Sequence, residues 1–186
     1  MFNRQSPAVL AEEIAKRSHD SPEFWLFNPP ASPKDIKRLE ARLGRRLPEH
    51  LSHTLSKING GFVSPEGKVC IDSAQEVSSA RAKANRFLSC GEIDGAYRSL
   101  LAAHPEEDPA AFPFIPFMRL ADGGFLAVNA EDPLATVWNA WTLDGPHLWE
   151  RLYPTFSDLL SDYIGREGLL LSGPFDDEPK ALAHAY

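Results

Sequence analysis

Residues 47–61, LPEHLSHTLSKINGG, carry the clearest information about the fold, because they give a helix a defined start and a defined end. Pro48 suits the start of a helix, where no N–H is needed, and Glu49 places negative charge at the positive end of the helix dipole. The closing Asn-Gly-Gly ends the helix, because glycine accepts the positive φ angles that reverse a chain. The stretch predicts a short helix that leads directly into a sheet, with an apolar stripe of Leu51, Leu55 and Ile58.

The residues before this stretch predict a second helix, so that the two form a helical hairpin. Ser32 and Pro33 give the capping pattern of a helix start, and Asp35 adds negative charge in the first turn. Gly44 is the expected left-handed C-cap. A Ser-Pro pair at residues 6–7 predicts the same kind of start for an N-terminal helix. The inward face of the hairpin's first helix is expected to consist of Ile36, Leu39 and Leu43.

The centre of the chain predicts one strand and two further helices. The segment GKVCID at residues 67–72 carries β-branched residues at alternating positions, which is typical of a strand. Ser73, with a glutamate three residues later, predicts a capping box, and apolar residues at helical spacing continue to Phe87. A second helix is expected over residues 93–103. We interpret residues 73–104 as a helical insert.

Beyond residue 113 the hydrophobic period changes from that of a helix to that of a strand. FIPFMRL (114–120), GFLAVNA (124–130) and ATVWNAW (135–141) are β-rich runs separated by turn residues. Asp122-Gly123-Gly124 predicts a tight hairpin, and Glu-Asp-Pro predicts a second turn. A last helix is expected in YPTFSDLLSDYIGR. The order predicts an α+β domain with an N-terminal helical hairpin, a curved and mostly antiparallel β-meander and a C-terminal helix.

Length and composition predict one globular domain. The 186 residues are 43% hydrophobic, and the net charge of −7 disfavours direct binding to nucleic acid. No window has the apolar run of a signal peptide or a membrane span, so a cytoplasmic protein with reduced thiols is expected. We divide the chain into a lead-in of residues 1–31, a domain of residues 32–172 and an acidic tail of residues 173–186.

The sequence contains no recognisable catalytic or metal-binding constellation. His50 and His53 lie three residues apart on one helix but lack further ligands, so an exposed helix surface is the expected setting. Cys70 is expected to be a buried residue of a strand, and Cys90 has no evident histidine partner. No phosphate-binding, dinucleotide-binding or hydrolase motif is present. We therefore predict neither a catalytic site nor a cofactor.

Aromatic residues concentrate in the meander. Strand alternation places Val137 and Asn139 on one face of the sheet and Trp138 on the other. One face must build the core, so an aromatic side chain on the opposite face can serve as an anchor for a partner. The aromatic residues in this region are Phe117, Trp138, Trp141, Trp149 and Tyr153.

Several segments, in this order, resemble the SUKH superfamily of SMI/KNR-type domains. They are SPKDIKRLEARLGRRLPEHLSHTLSKINGG (32–61), PFMRLADGGFLAVNA (116–130) and TFSDLLSDYI (155–164), and the resemblance covers roughly residues 32–61 and 113–164. The superfamily unites fungal cell-wall regulators with bacterial immunity proteins. The residues that carry the resemblance, and that we expect to define the fold, are Leu39, Glu40, Leu47, Pro48, Asn59, Gly60, Gly61, Asp122, Gly123 and Gly124.

The resemblance implies a protein-binding module, and foremost an immunity protein that occludes a cognate bacterial toxin. A nuclease toxin with a basic surface would suit the net charge of −7. Two alternatives stay open: an intracellular scaffold or regulator of the SMI/KNR type, and an unrecognised hydrolase. No membrane or direct nucleic-acid contact is expected. The candidate contacts with the partner are Glu106, Glu131, Asp132, Trp138 and Asp144.

Overall fold

The computed structural model describes residues 5–108, 111–140 and 145–170. Within these ranges the chain forms six α-helices, seven β-strands and one 3₁₀ turn at Pro146–Leu148. The elements in chain order are α1 (Pro7–Asp20), β1 (Trp25–Phe27), α2 (Pro33–Leu43), α3 (Glu49–Leu55), β2 (Gly61–Val63), α4 (Ala74–Lys83), β3 (Arg86–Phe87), α5 (Cys90–Ala103), β4 (Phe114–Arg119), β5 (Phe125–Asn129), β6 (Val137–Ala140), β7 (Glu150–Tyr153) and α6 (Phe156–Gly165).

The seven strands form one sheet in the order of the chain, β1 to β7, and every neighbouring pair is antiparallel. Register shifts interrupt the β4–β5 pairing at Pro116 and the β6–β7 pairing at Val137. The predicted α+β class, with early helices, an antiparallel meander and a closing helix, is confirmed. None of the helices in the described ranges is both long and apolar enough to cross a membrane.

The predicted helical hairpin is present and is fixed at its corners by side chains. Ser32 and Asp35 form a capping box at the start of α2, and Gly44 follows its end in the left-handed conformation. Pro48 is the N-cap of α3, one residue before the helix proper. The loop between the helices is held because the Glu40 carboxylate accepts the Leu47 N–H at 3.0 Å.

The exit from α3 connects the hairpin to the sheet through Asn59, Gly60 and Gly61. The Asn59 side chain accepts the N–H of Cys90 at 2.8 Å, which satisfies one of the free N–H groups at the start of α5. Gly60 and Gly61 have φ angles of +83° and +134°, and β2 begins at the second glycine. This turn therefore joins α3, α5 and the sheet at one point.

The prediction of a strand over residues 67–72 is wrong. The strand of this region is β2, which pairs with β1 and β3, and the chain leaves the sheet before Pro65. The Cys70 N–H donates to the Glu76 carboxylate at 3.1 Å instead of entering a ladder. Cys70 is consequently exposed, whereas the sequence predicted a buried side chain.

The central region also contains a strand that the sequence did not predict. The spacing of apolar residues predicted that Phe87 ends a helix. Phe87 instead lies in β3, between β2 and β4. Helix α4 ends at Lys83, and α5 begins at Cys90, three residues before its predicted start. Residues 73–104, interpreted as a helical insert, thus also contribute a strand to the sheet.

Helix α6 packs against the sheet through Tyr163, which is fully buried. Its hydroxyl accepts the Val63 N–H at 3.1 Å and donates to the carbonyl of Asn85 at 3.2 Å. Burial raises the pKa of this phenol well above its usual range, so the hydroxyl keeps its proton as a donor. The side chain therefore ties the closing helix to β2 and to the entry of β3.

Candidate functional site

Five ring-bearing side chains meet where the end of α5 approaches the meander, and we term them the aromatic cluster. The Phe114 ring lies 5.0 Å from Trp149 and 5.8 Å from Trp138, both in edge-on geometry. His104 lies 5.8 Å from Trp149. Such offset and edge-on contacts are the favoured arrangements of aromatic rings. The aromatic cluster consists of His104, Phe112, Phe114, Trp138 and Trp149.

Trp138 occupies the position that strand alternation predicted. Its neighbours Val137 and Asn139 are buried in β6, whereas Trp138 is half-buried. Its indole N–H is shielded from solvent and has no acceptor among the described residues. Buried Trp N–H groups normally find a partner, because an unsatisfied donor costs about 1–3 kcal/mol. Trp138 therefore combines a partly exposed ring with an unused hydrogen-bond donor.

Two exposed carboxylates flank the aromatic cluster. Glu106 follows α5, and its carboxylate lies 3.7 Å from Nδ1 of His104. Glu131 lies in the turn after β5, where its N–H donates to the side chain of Asn129 at 2.8 Å. Asn129 is the direct cross-strand partner of Phe114. Of the candidate contacts, Trp138 thus belongs to the aromatic cluster and Glu106 contacts its His104, whereas Glu131 lies two residues beyond the strand partner of Phe114.

Asp132 has a different setting from Glu131. Its carboxylate accepts the N–H groups of Leu134 at 2.9 Å and Thr136 at 3.1 Å, which closes the turn between β5 and β6. Burial by itself would raise the pKa of Asp132, but hydrogen bonds from Thr136 and Leu134 and the charge of Arg151 hold it below the usual value. Asp132 therefore organises the turn that presents Glu131. Asp144 and Trp141 lie outside the described residues.

Three members of the aromatic cluster were missed by the sequence prediction, namely His104, Phe112 and Phe114. The alternation of Phe112 and Phe114 just before the meander was an available signal. No local pattern places His104, at the end of α5, against Trp149, because that contact depends on how α5 packs on β4. Phe117 and Tyr153, grouped with the tryptophans by sequence, instead contact Phe156 and Asp162 of α6.

The residues considered for catalysis do not converge. His53 is exposed and lies 4.0 Å from Glu49 of the same helix. Cys90 is buried, and burial together with the charge of Asp35 raises its pKa to about 11. The thiolate, which is the nucleophilic form, is therefore scarce near neutral pH. Across the described ranges, His, Cys, Asp and Glu side chains form no group of three or more that could hold a metal ion.

Comparison with known proteins identifies the family. No curated protein matches the chain. The family model of the SMI1 / KNR4 family (SUKH-1) matches residues 30–162, which is more than half of the chain. The match spans the helical hairpin, the Asn59-Gly60-Gly61 turn, the meander and most of α6. The chain therefore belongs to the SMI1 / KNR4 family (SUKH-1).

Proposed function

We propose that this protein is a cytoplasmic immunity protein that binds a cognate bacterial toxin and occludes its active site. The observation that carries the proposal is the aromatic cluster with its half-buried Trp138, the exposed Glu106 next to His104 and the exposed Glu131 in the turn after β5. The family supports it, because SUKH domains include toxin immunity proteins and are generally associated with protein partners.

The chemistry of the aromatic cluster suits a basic protein partner. Aromatic side chains in packed surroundings supply much of the binding energy at protein interfaces, and surrounding polar groups exclude water. The partly exposed ring of Trp138 offers a partner an apolar contact held in place by Phe114. Glu106, Glu131 and the net charge of −7 would speed the approach of a basic surface. Asp132 contributes by holding the turn, and Asp144 stays a proposed contact.

The experiment uses the full chain and the purified product of any toxin gene found encoded beside it. Binding is measured by titration calorimetry and by surface kinetics, and neutralisation by the toxin's own activity assay. Glu106→Lys and Glu131→Lys are each expected to weaken binding about tenfold or more, chiefly through slower association. Trp138→Ala removes the partly exposed ring, so it is expected to raise the dissociation rate.

The matched control is Glu12→Lys, which makes the same charge change on α1, where Glu12 pairs with Lys57. Thermal unfolding of each variant confirms that the fold is intact. Absence of binding to the neighbouring toxin, or an equal loss in Glu12→Lys, would contradict the proposal. Competition of several unrelated proteins for the aromatic cluster would instead identify a scaffold of the SMI/KNR type.

A further inference from the structure

We infer that a groove lined by Arg81, Arg86 and Arg119 binds an acidic peptide segment of a partner protein. The groove has a volume of about 370 Å³ and lies between α4, β3 and the turn that joins β4 to β5. Ser78 and Ala121 form parts of its opposite walls. It shares no residue with the aromatic cluster, so the inference does not depend on the proposed toxin.

Two arginines of the groove lie directly opposite each other on neighbouring strands. Arg86 on β3 and Arg119 on β4 are direct cross-strand partners, so their side chains leave the same face of the sheet. Like charges in directly opposed positions destabilise a strand pair. A negative group bound between them would remove this repulsion. Binding of an anionic ligand would therefore stabilise the pairing of Arg86 with Arg119.

Among the described residues, the acidic side chains nearby do not balance the positive charge of the groove. Glu92 alone accepts hydrogen bonds from both Arg81 and Arg86. Arg119 is exposed and lies over the ring of Phe125, 5.6 Å from its centroid, and none of the described residues offers it a carboxylate partner. Among the described residues, one carboxylate thus pairs with two of the three guanidinium groups that line the groove, in a chain of net charge −7. The contact with Glu92 shows the class of group that these arginines bind.

The space next to the groove favours a peptide over a small anion as the occupant. A second cavity of about 310 Å³ also has Arg81 and Arg86 in its wall and continues over the apolar side chains of Leu26, Phe62 and Val77. Ile71, on the same cavity, is 55% exposed. Arginine binds carboxylates with paired hydrogen bonds, and the second cavity would remove an apolar side chain from water. A peptide that carries carboxylates next to an apolar side chain would therefore occupy both the groove and the second cavity.

The test measures binding of a fluorescein-labelled peptide, Gly-Phe-Asp-Asp-Glu-Gly, to the full chain by fluorescence anisotropy at low salt. The amide analogue Gly-Phe-Asn-Asn-Gln-Gly is the ligand control. We expect the acidic peptide to bind about tenfold tighter or better than the analogue. Arg119→Gln and Arg81→Gln are each expected to lose about tenfold in affinity. Arg98→Gln, which removes an exposed arginine from α5, is expected to bind as the unmodified chain.

Three outcomes would overturn the inference. One is equal binding of the acidic and amide peptides, or no effect of Arg119→Gln, a variant that leaves the Glu92 contacts in place. Another is that inorganic phosphate displaces the peptide and binds with the same affinity as the peptide, which would assign the groove to small anions. The third is that the acidic peptide binds only to a variant chain that combines Asp176→Asn, Asp177→Asn and Glu178→Gln. That result would assign the groove to the chain's own acidic segment.

Discussion

At the scale of single residues, the turn after α3 shows why its three positions require these residue types. The Asn59 side chain accepts the Cys90 N–H, a bond that alanine could not make. A Cβ atom on Gly60 would lie 2.6 Å from the backbone nitrogen of Ser89, and one on Gly61 would lie 2.5 Å from the carbonyl oxygen of Leu26. The Asn-Gly-Gly motif is thus explained by two close backbone approaches and one capping bond.

The first prediction compares two Gly→Ala substitutions. Gly60→Ala should destabilise the fold by about 2 kcal/mol or more, because alanine is strained at a φ of +83° and the new methyl group meets the backbone of Ser89. Gly95→Ala is the matched control, since Gly95 lies exposed inside α5 and a Cβ added there would meet open space. It should stabilise the fold by about 0.5–1 kcal/mol. Urea unfolding followed by circular dichroism measures both, and equal effects would contradict the interpretation of the turn.

At the scale of elements, the helices could be predicted closely and the short strands could not. The starts of α1, α2 and α6 are set by caps within three residues along the chain, and such signals are local. Strands β2 and β3 have three and two residues, too few for an alternating pattern. They exist because β1 and β4 pair with them from either side. Residues 67–72 carried the better strand pattern, but no strand among the described residues pairs with them.

The second prediction concerns Glu92, which joins the start of α5 to β3 and α4. Partial burial works to raise its pKa, but hydrogen bonds from Ser89 and Arg86 outweigh burial and hold the pKa below its usual value. A carboxylate with a lowered pKa in the folded state stabilises the fold above its unfolded pKa of about 4.3, and this contribution is lost as the pH falls through the folded value.

Glu92→Gln should therefore lower the free energy of unfolding by about 1–2 kcal/mol at pH 7, and its deficit relative to the unmodified chain should shrink as the pH falls below about 4. Urea unfolding at a series of pH values measures the difference. Glu131→Gln is the control, because the Glu131 side chain is exposed in a turn. A deficit that is independent of pH would show that Glu92 acts by packing alone.

At the scale of the whole molecule, the candidate site combines residues that the sequence could and could not predict. Trp138 follows from alternation along one strand, and Glu131 follows from the turn next to it. His104 and Phe114 reach the same rings only because α5 packs on β4 and the meander folds back on itself. Asp132 lies next to Glu131, but its carboxylate accepts two backbone N–H groups and is held in the turn. Local patterns thus indicated the strand and the turn, whereas packing assembled the aromatic cluster.

The part of the chain before the family match is also integral to the fold. The match begins at residue 30, yet α1 packs against α3, α6 and β1, and β1 is an edge strand of the sheet. Lys57, just after α3, pairs with Glu12 at 2.6 Å, and the Arg17 guanidinium lies 5.0 Å from the centroid of the Trp25 ring. The boundary proposed at residues 31 and 32 therefore separates segments that share one core.

The last prediction tests whether α1 contributes to that core. Ile14 is 0% exposed, so Ile14→Ala should cost about 2–5 kcal/mol, the same range as Leu39→Ala within the family match. Val9→Ala is the control on the same helix, because Val9 is 48% exposed and its loss should change stability by no more than about 0.5 kcal/mol. Chemical unfolding followed by both tryptophan fluorescence and circular dichroism measures all three variants. If Ile14→Ala resembled Val9→Ala, or if the two probes gave separate transitions, α1 would be an appendage and the unit of folding would coincide with the family match. A single shifted transition makes α1 part of the domain, because a helix that unfolds independently cannot change the midpoint of the core.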